Sequence, residues 1–217
     1  MKLHNNIDGR FIKFISDIHY NHSGILKFDY PVRKAWKDVK DMNQSLLENL
    51  KNSIGKDDYL IDLGDLFWKT KQEDAESFIS SLQYKSFFKI MGNHDSWNLW
   101  KRSSRLRNFC SGIGDILDLS ISYEGRIYNI VLSHYPLVSW NLKARGSFML
   151  HGHCHGNIDP INEASPDLRV DLGMDASLPR SLGKIVIGFP EILDYFKNKT
   201  GTDDFKTWSL TKCKNSL

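Results

Sequence analysis

In the stretch Phe87-Phe88-Lys89-Ile90-Met91-Gly92-Asn93-His94-Asp95, residues 87–95, an apolar run ends abruptly in a polar loop. The run Phe87–Met91 predicts a short buried strand, because four to eight mostly apolar residues bounded by turn residues are typical of one. Gly92 allows the backbone to turn sharply where the strand ends. The next three residues offer an amide, an imidazole and a carboxylate, which are side-chain types that bind metal ions.

The same arrangement recurs at four other places in the chain. The predicted strands are Phe11–Ser16, Tyr59–Leu63, Arg126–Ser133 and Phe148–Leu150, and they run into Asp17-Ile18-His19, Gly64-Asp65, His134 and His151-Gly152-His153-Cys154-His155, respectively. Ligands of open α/β sheets bind beyond the carboxyl ends of the strands. We therefore expect these residues, although far apart in sequence, to converge in space.

The rest of the chain predicts helices in the first half and more strands in the second. Apolar spacing indicates helices over Pro31–Asn52, Glu73–Gln83 and Pro190–Lys197. A hairpin through Glu124-Gly125 joins Leu117–Tyr123 to Arg126–Ser133. Two further strands are expected at Leu168–Leu172 and Lys184–Ile187. This order predicts an α/β sandwich with two sheets and outer helices.

Composition sets limits on the class of protein. The 217 residues suit one domain, the hydrophobic fraction of 41% allows a real core, and the net charge of +3 suits a small anionic substrate better than a long nucleic-acid track. No apolar run is long enough to cross a membrane. The first residues lack the features of a signal peptide, and three widely spaced cysteines do not form a disulfide framework. A cytoplasmic location is therefore expected.

Seven side chains of the predicted loops form a set of oxygen and nitrogen ligands. They are Asp17, His19, Asp65, Asn93, His134, His153 and His155. Seven ligands are too many for one tetrahedral zinc ion but suit two divalent ions that share a carboxylate. Mixed nitrogen and oxygen ligands favour manganese, iron, cobalt, nickel or zinc over calcium or magnesium. Two such ions, about 3.5–4 Å apart, activate a bridging water and neutralise phosphate charge.

The five loops, in this order over residues 17–155, resemble the motifs of the calcineurin-like metallophosphoesterases. Each motif alone is weak, whereas all five in order are highly specific. Two longer phrases resemble the small phage and bacterial branch of that family, namely Ser16-Asp17-Ile18-His19-Tyr20-Asn21-His22 and Ser133-His134-Tyr135-Pro136-Leu137.

The resemblance implies a fold and a set of residue roles. The fold would be a four-layer αββα sandwich of two mixed β-sheets, with the metal site at the carboxyl ends of the strands, formed by residues 1–200; residues 201–217 remain an unassigned tail. Asp65 would bridge two ions, and His94 would lie near the phosphate and protonate the leaving oxygen. Asp17, His19 and His155 would hold one ion, and Asn93, His134 and His153 the other. Manganese is the favoured metal.

The sequence departs from the family at the second motif. Many members place an Asp where this chain has Trp68, and that Asp orients the catalytic histidine. Asp95 is the residue that we expect to take over part of this role. Lys69 stands where the family has an Arg, and it offers phosphate a point charge without the bidentate fork.

Several residues beside the motifs have two interpretations. His22, Trp68, Lys69 and Trp97 are candidates for substrate binding, although His22 is equally an exposed loop residue and the tryptophans are equally core or rim residues. Trp68 and Trp97 are the candidates for the pocket wall, since aromatic rings stack on bases of any identity. His151 is expected to make a structural hydrogen bond.

The leading hypothesis is a dinuclear phosphoesterase that acts through a metal-bridging hydroxide on small nucleotides, as a phosphodiesterase or a nucleotidase. Within the enzymes, a nuclease or a protein phosphatase is the alternative, and nucleic acid is a less favoured partner. Outside them, the alternative is a non-catalytic scaffold of the same fold.

Overall fold

In the computed structural model the described residues are 1–197 and Lys199, without the side chains of residues 3–6. The expected tail over 201–217 therefore lies outside the described residues. The described strands are β1 (Lys2–Asp8), β2 (Ile12–Ile15), β3 (Tyr59–Asp62), β4 (Ser86–Ile90), β5 (Gly112–Gly114), β6 (Ile116–Tyr123), β7 (Arg126–Ser133), β8 (Phe148–His151), β9 (Arg169–Asp171) and β10 (Ile187–Gly188). The α-helices are α1 (Val39–Ser53), α2 (Gln72–Ser80), α3 (Trp97–Arg102), α4 (Ser104–Phe109), α5 (Asp159–Ala164), α6 (Ser177–Leu182) and α7 (Phe189–Lys197).

The strands form two five-stranded mixed sheets. One has the order β10-β2-β3-β4-β5, in which β10 is antiparallel to β2 and the other pairs are parallel. The other has the order β1-β6-β7-β8-β9, in which the β6–β7 hairpin supplies the antiparallel pair. The loops after β2, β3 and β4 therefore leave one edge of the first sheet, and those after β7 and β8 leave one edge of the second.

The main core lies between the two sheets. Alternate residues of each strand face inward, as the two-residue period of a strand requires. Phe14, Ile61 and Phe88 from the first sheet meet Leu119 and Leu132 from the second. Helix α7 adds Phe189, Ile192 and Phe196 to this core.

A second core covers the outer face of the first sheet. Leu60 and Phe87 of that face pack against Met42 and Leu46 of α1 and Phe78 of α2. On the outer face of the other sheet, Val131 and Met149 pack with Trp140. These layers confirm the sandwich that the sequence predicted.

The boundaries of some elements differ from the prediction. The stretch Pro31–Asn52 is two helices, because Pro31–Ala35 is a 3-10 helix and α1 begins only after Asp38, whose carboxylate accepts from the Asp41 amide at 2.9 Å. Strand β1 was missed because its sequence is polar and lies at a sheet edge. In Lys184–Ile187 only the last residue is in a strand. Among the described helices, none is long and apolar enough to cross a membrane.

Candidate metal centre

The loops after five strands bring the seven predicted ligands together. Asp17 and His19 follow β2, Asp65 follows β3, and Asn93 follows β4. The second sheet adds its ligands from the ends of the neighbouring parallel strands β7 and β8. These are His134, His153 and His155.

The backbone at this centre is strained. Five of the predicted ligands have a positive φ, a conformation that costs a non-glycine residue about 1 kcal/mol or more and that concentrates at functional sites. The values are 54° for Asp17, 53° for His19, 57° for Asp65, 69° for His153 and 48° for His155. This concentration on ligand-type residues indicates that the fold holds these side chains in a set arrangement.

Glycines make room for the ligands where the loops meet. A Cβ atom on Gly92 would overlap Oδ1 of Asp65, and one on Gly152 would overlap Oδ2 of Asp17 and Oγ of Ser16. Because glycine has no Cβ, the backbone can approach each carboxylate closely.

One group of donor atoms surrounds Oδ1 of Asp17. Nε2 of His155 lies 3.7 Å from this oxygen, and Nε2 of His19 lies 4.0 Å from it. Two ligands that are each about 2.1 Å from a shared ion lie roughly 3–4 Å apart. These three side chains are therefore spaced like ligands of one ion.

A second group surrounds Oδ1 of Asn93. Nε2 of His134 lies 3.0 Å from it, and Nδ1 of His153 lies 2.8 Å from it. The other ring nitrogen of His134 donates to the Leu63 carbonyl at 3.0 Å. A carbonyl can only accept, so Nδ1 of His134 carries the proton and Nε2 faces the centre.

Asp65 lies between the two groups. Its Oδ2 is 3.7 Å from Nε2 of His19 in the first group and 3.5 Å from Nε2 of His134 in the second. Its Oδ1 accepts from the backbone amide of His94 at 2.8 Å. The carboxylate is thus fixed by the loop after β4 and is within reach of both sets of donors.

The residues present fit a pair of divalent ions. Nε2 of His19 is buried and has no hydrogen-bond partner, and an unsatisfied buried polar atom costs about 1–3 kcal/mol. A metal ion would satisfy this nitrogen. The set also has the composition that transition ions prefer, namely imidazole nitrogens with carboxylate and amide oxygens.

Metal binding needs neutral histidines and ionised carboxylates, and the pKa values of His19 and Asp65 are shifted towards these forms. For His134 and His155, burial would lower the pKa values, but their hydrogen bonds to carboxylates raise them. Burial lowers the pKa of His19 to about 2, with a further contribution from the charge of Arg33. Burial alone would raise the pKa of Asp65, but its hydrogen bond and charge attraction with His134, together with the His94 amide, hold it below the usual value.

His94 lies at the open side of the centre. Its side chain is 35% exposed, and Nε2 lies 3.9 Å from Oδ2 of Asp65. The ring of Trp68 contacts it edge-on at 4.6 Å and 65°. His22 stacks parallel to the ring of Trp68 at 3.8 Å and 8°, and its Nδ1 is 3.1 Å from Nδ1 of His19.

Asp95, expected to help orient His94, is placed elsewhere. Its buried carboxylate accepts from the backbone amides of Asp65 at 2.8 Å and Gly92 at 2.9 Å through Oδ2. The same oxygen pairs with Lys89 at 2.5 Å. Asp95 therefore fastens the loop after β4 to the loop after β3, and its oxygen is engaged by groups other than the His94 ring.

Lys69 and Trp97 lie at the surface. Nζ of Lys69 is 5.5 Å from the centre of the Trp68 ring, which places it beside the stack. Trp97 is 39% exposed and is covered in part by Lys101, whose Nζ lies 4.8 Å from its ring centre. Trp68 contacts His22 and His94 at the centre, whereas Trp97 contacts Lys101 of its own helix.

His151 makes structural hydrogen bonds, as the sequence suggested. Nδ1 donates to the Gly152 carbonyl at 2.8 Å, and Nε2 accepts from the Asn162 amide at 3.1 Å. Donor atoms of His151, Cys154 and Asp171 lie within 4.8 Å of one another. Both ring nitrogens of His151 are already engaged, and burial raises the pKa of the Cys154 thiol to about 11, so this cluster is a poor metal site.

Sequence reasoning missed the residues behind the centre. Arg33 and Asp175 are buried beside His155, yet they are 142 residues apart and belong to no local pattern. Lys89 could have been recognised from the sequence, because a lysine inside an apolar strand needs a buried partner. Tyr30 and Tyr135 contact the rings of His155 and His153 at 5.0 and 4.7 Å.

Comparison with known proteins gives matches over most of the chain. A family model described as calcineurin-like phosphoesterase matches residues 12–212. An uncharacterized protein of Methanocaldococcus jannaschii is 31% identical over 182 residues, which are 82% of this chain and 90% of that protein. The gene 66 protein of Mycobacterium phage L5 is 26% identical over 162 residues, covering 65% and 76% of the two chains.

A solved structure shares the fold. It is the crystal structure of a protein of unknown function from Aquifex aeolicus, which superposes with a TM-score of 0.61 at 23% sequence identity. The similarity covers 85% of this chain and 98% of that one. At this identity the match supports the sandwich architecture alone.

Proposed function

The chain belongs to the calcineurin-like phosphoesterase family of metal-dependent enzymes, and from this premise we propose that it hydrolyses phosphate esters of small nucleotides at a centre of two divalent ions. The observation that carries the proposal is the position of Asp65. Its Oδ2 lies 3.5–3.7 Å from imidazole nitrogens of both donor groups. Every position that the resemblance gives to a ligand keeps a ligand side chain, which argues against a scaffold that has lost its metals.

Each donor group would hold one ion. Asp17, His19 and His155 would hold the first, Asn93, His134 and His153 the second, and Asp65 would bridge them. When bound, two such ions neutralise charge on the phosphate and lower the pKa of a water molecule to make it a nucleophile. Manganese is the favoured metal, and iron, cobalt, nickel or zinc suit the same ligands.

We assign to His94 the protonation of the leaving oxygen. Its backbone amide is held by Asp65, so the residue is fixed to the bridging ligand, while its ring lies at the exposed side where substrate would arrive. A general acid must lie within hydrogen-bond reach of the leaving atom. This position beside the centre, instead of within either donor group, supports a role in proton transfer.

Trp68 and His22 would orient the His94 ring in place of a carboxylate. The indole contacts His94 edge-on, and the parallel stack with His22 limits the rotation of the indole. Edge-to-face aromatic contacts contribute about 0.5–1.5 kcal/mol beyond their burial. His94 would therefore be held by packing instead of by a charged hydrogen bond.

The nucleotide preference is supported by aromatic residues beside the donor groups. Tyr30 stacks on His155 at 15°, and Phe28 next to it is 56% exposed. On the other side, Tyr135 is 46% exposed and contacts His153. Exposed aromatic faces stack on bases of any identity, so they suit a nucleobase attached to the reacting phosphate.

Substrate profiling tests this proposal. The Mn²⁺-loaded protein is assayed with bis-p-nitrophenyl phosphate, with p-nitrophenyl phosphate, and with a panel of cyclic and linear nucleotides and their deoxy forms. We expect hydrolysis of nucleotides with a higher kcat/KM than that of the nitrophenyl esters, and the first two substrates separate diesterase from monoesterase activity. Asp65→Asn should abolish hydrolysis, while Asp118→Asn, which changes a carboxylate that accepts from Asn141, keeps it. Activity on the nitrophenyl esters without any on nucleotides would contradict the nucleotide preference.

A further inference from the structure

A buried ion pair lies directly behind one donor group. Arg33 belongs to the 3-10 helix Pro31–Ala35, and Asp175 belongs to the loop between β9 and α6. Both side chains are fully buried. A fully buried arginine is rare unless its charge is paired, so the partners of Arg33 indicate its role.

The contacts connect the pair to the predicted ligands. Nε of Arg33 lies 3.1 and 2.9 Å from the two oxygens of Asp175, and one terminal nitrogen lies 2.8 Å from Oδ2. The guanidinium also donates to the backbone carbonyls of Asp17 at 2.6 Å and Ile18 at 3.2 Å. One side chain thus holds both Asp175 and the backbone between two predicted ligands.

Asp175 in turn fixes the ring of His155. Its Oδ2 lies 2.8 Å from Nδ1 of His155. The carboxylate accepts, so Nδ1 carries the proton and Nε2 is left to face Oδ1 of Asp17 at 3.7 Å. Carboxylates that accept from the far nitrogen of a metal-binding histidine fix its tautomer and make it a better ligand.

We propose that Arg33 and Asp175 are positioning residues for one of the two metal ions, the one that Asp17, His19 and His155 would hold. The proposal rests on the proposed function, since it assumes that this group binds an ion. Asp175 selects the tautomer and direction of His155. Arg33 holds Asp175 and the Asp17–His19 loop together, so that the three ligands keep one geometry.

A purely structural ion pair has a different consequence. It would stabilise the fold, and its loss would weaken both metal sites equally or neither. The positioning role predicts that loss of the pair weakens binding of only one ion, because the second donor group contacts other residues. His134 donates to the Leu63 carbonyl, and Asn93 lies between His134 and His153.

Asp175→Asn is the sharpest variant. The amide keeps the size of the carboxylate, but its one acceptor oxygen has two lone pairs, fewer than the three N–H groups of His155 and Arg33 that contact Oδ2 of Asp175. Asp159→Asn is the matched control, since Asp159 is a buried carboxylate that accepts from the Ser177 amide at 2.6 Å instead of from a predicted ligand. Arg33→Lys is a second variant that keeps the charge and loses the bidentate geometry.

The experiment is Mn²⁺ titration of the metal-free full chain by calorimetry, with Mn²⁺ electron paramagnetic resonance on the same samples. The wild type and Asp159→Asn should bind two ions and show the exchange-coupled signal of a Mn²⁺ pair. Asp175→Asn should bind one ion normally and the other about 10–100-fold more weakly, with a mononuclear signal at one equivalent. If Asp175→Asn does not fold, as judged by circular dichroism, Arg33→Lys should show the same selective loss.

Two results would overturn the positioning role. Either both ions bind to the folded variant with wild-type affinity, or both are weakened equally. These differ from failure of the proposed function, in which the wild type itself binds no Mn²⁺ and this inference falls with it.

Discussion

Replacing Lys89 with methionine should destabilise the protein strongly and in a pH-dependent way. Nζ of Lys89 lies 2.6 Å from Asp62 and 2.5 Å from Asp95, and all three side chains are inaccessible to solvent. The register of β3 and β4 pairs Asp62 directly with Lys89. Lys89→Met keeps much of the side-chain volume but leaves two buried carboxylates without their cation.

The expected loss at pH 8 is about 3–5 kcal/mol, the usual result of removing one partner from a buried ion pair. Even with Lys89 present, burial raises the pKa of Asp62 to about 6, and loss of the cation raises it further. An Asp whose pKa is raised in the folded state stabilises the fold below its unfolded value of about 3.9 and loses this contribution as pH rises through the folded pKa. The deficit of the variant should therefore shrink between pH 8 and pH 5.

Urea unfolding with chelator present measures both effects at the two pH values. Lys85→Met is the control, because Lys85 is exposed just before β4 and should change stability by less than about 0.5 kcal/mol. Asp62→Asn combined with Lys89→Met should recover part of the loss, since one uncompensated charge is removed. A loss below about 1 kcal/mol for Lys89→Met, or an equal loss at both pH values, would refute the reasoning.

Three further outcomes follow from the structure. Burial lowers the pKa of His151 to about 4, so the contribution of the neutral ring to stability is complete above pH 6.5 and is lost as pH falls towards 4. In urea unfolding with chelator present, the wild type should lose about 3 kcal/mol more than His151→Gln between pH 7 and pH 4. An equal loss for the two proteins would contradict this. Gly152→Ala should lower Mn²⁺ stoichiometry in equilibrium dialysis, because its Cβ would overlap Asp17 and Ser16, and two ions bound as in the wild type would count against this crowding. Trp68→Ala should slow hydrolysis of alkyl esters at least 10-fold more than that of p-nitrophenyl esters at unchanged metal content, because only poor leaving groups need the proton from His94. Trp68→Phe should restore part of the rate. Equal slowing of both classes of ester would show that Trp68 does not support proton transfer from His94.

The sequence predicted well those features that depend on local pattern. Short apolar runs located most of the strands, since a buried strand has a recognisable length and boundary. The polar residues at their ends identified the donor groups, because parallel strands bring their carboxyl ends to one edge of a sheet. The place of His94 in the motif beside Asn93 predicts its catalytic role, which stays a prediction.

Features that depend on tertiary contacts escaped prediction. The Arg33–Asp175 pair joins segments 142 residues apart, and nothing local connects an arginine in a 3-10 helix to a loop aspartate. Asp95 follows His94 directly, which suggested that it acts on that residue. Its carboxylate instead accepts from Lys89 and from the backbone amides of two loops. This arrangement depends on the pairing of β3 with β4.

Anomalous diffraction from crystals grown with Mn²⁺ tests the central claim most directly, because it locates ions without reference to any substrate. Two peaks are predicted, one among Asp17, His19 and His155 and one among Asn93, His134 and His153, with the Asp65 carboxylate between them. A single peak, no peak, or a peak at His151, Cys154 and Asp171 instead would contradict the dinuclear centre.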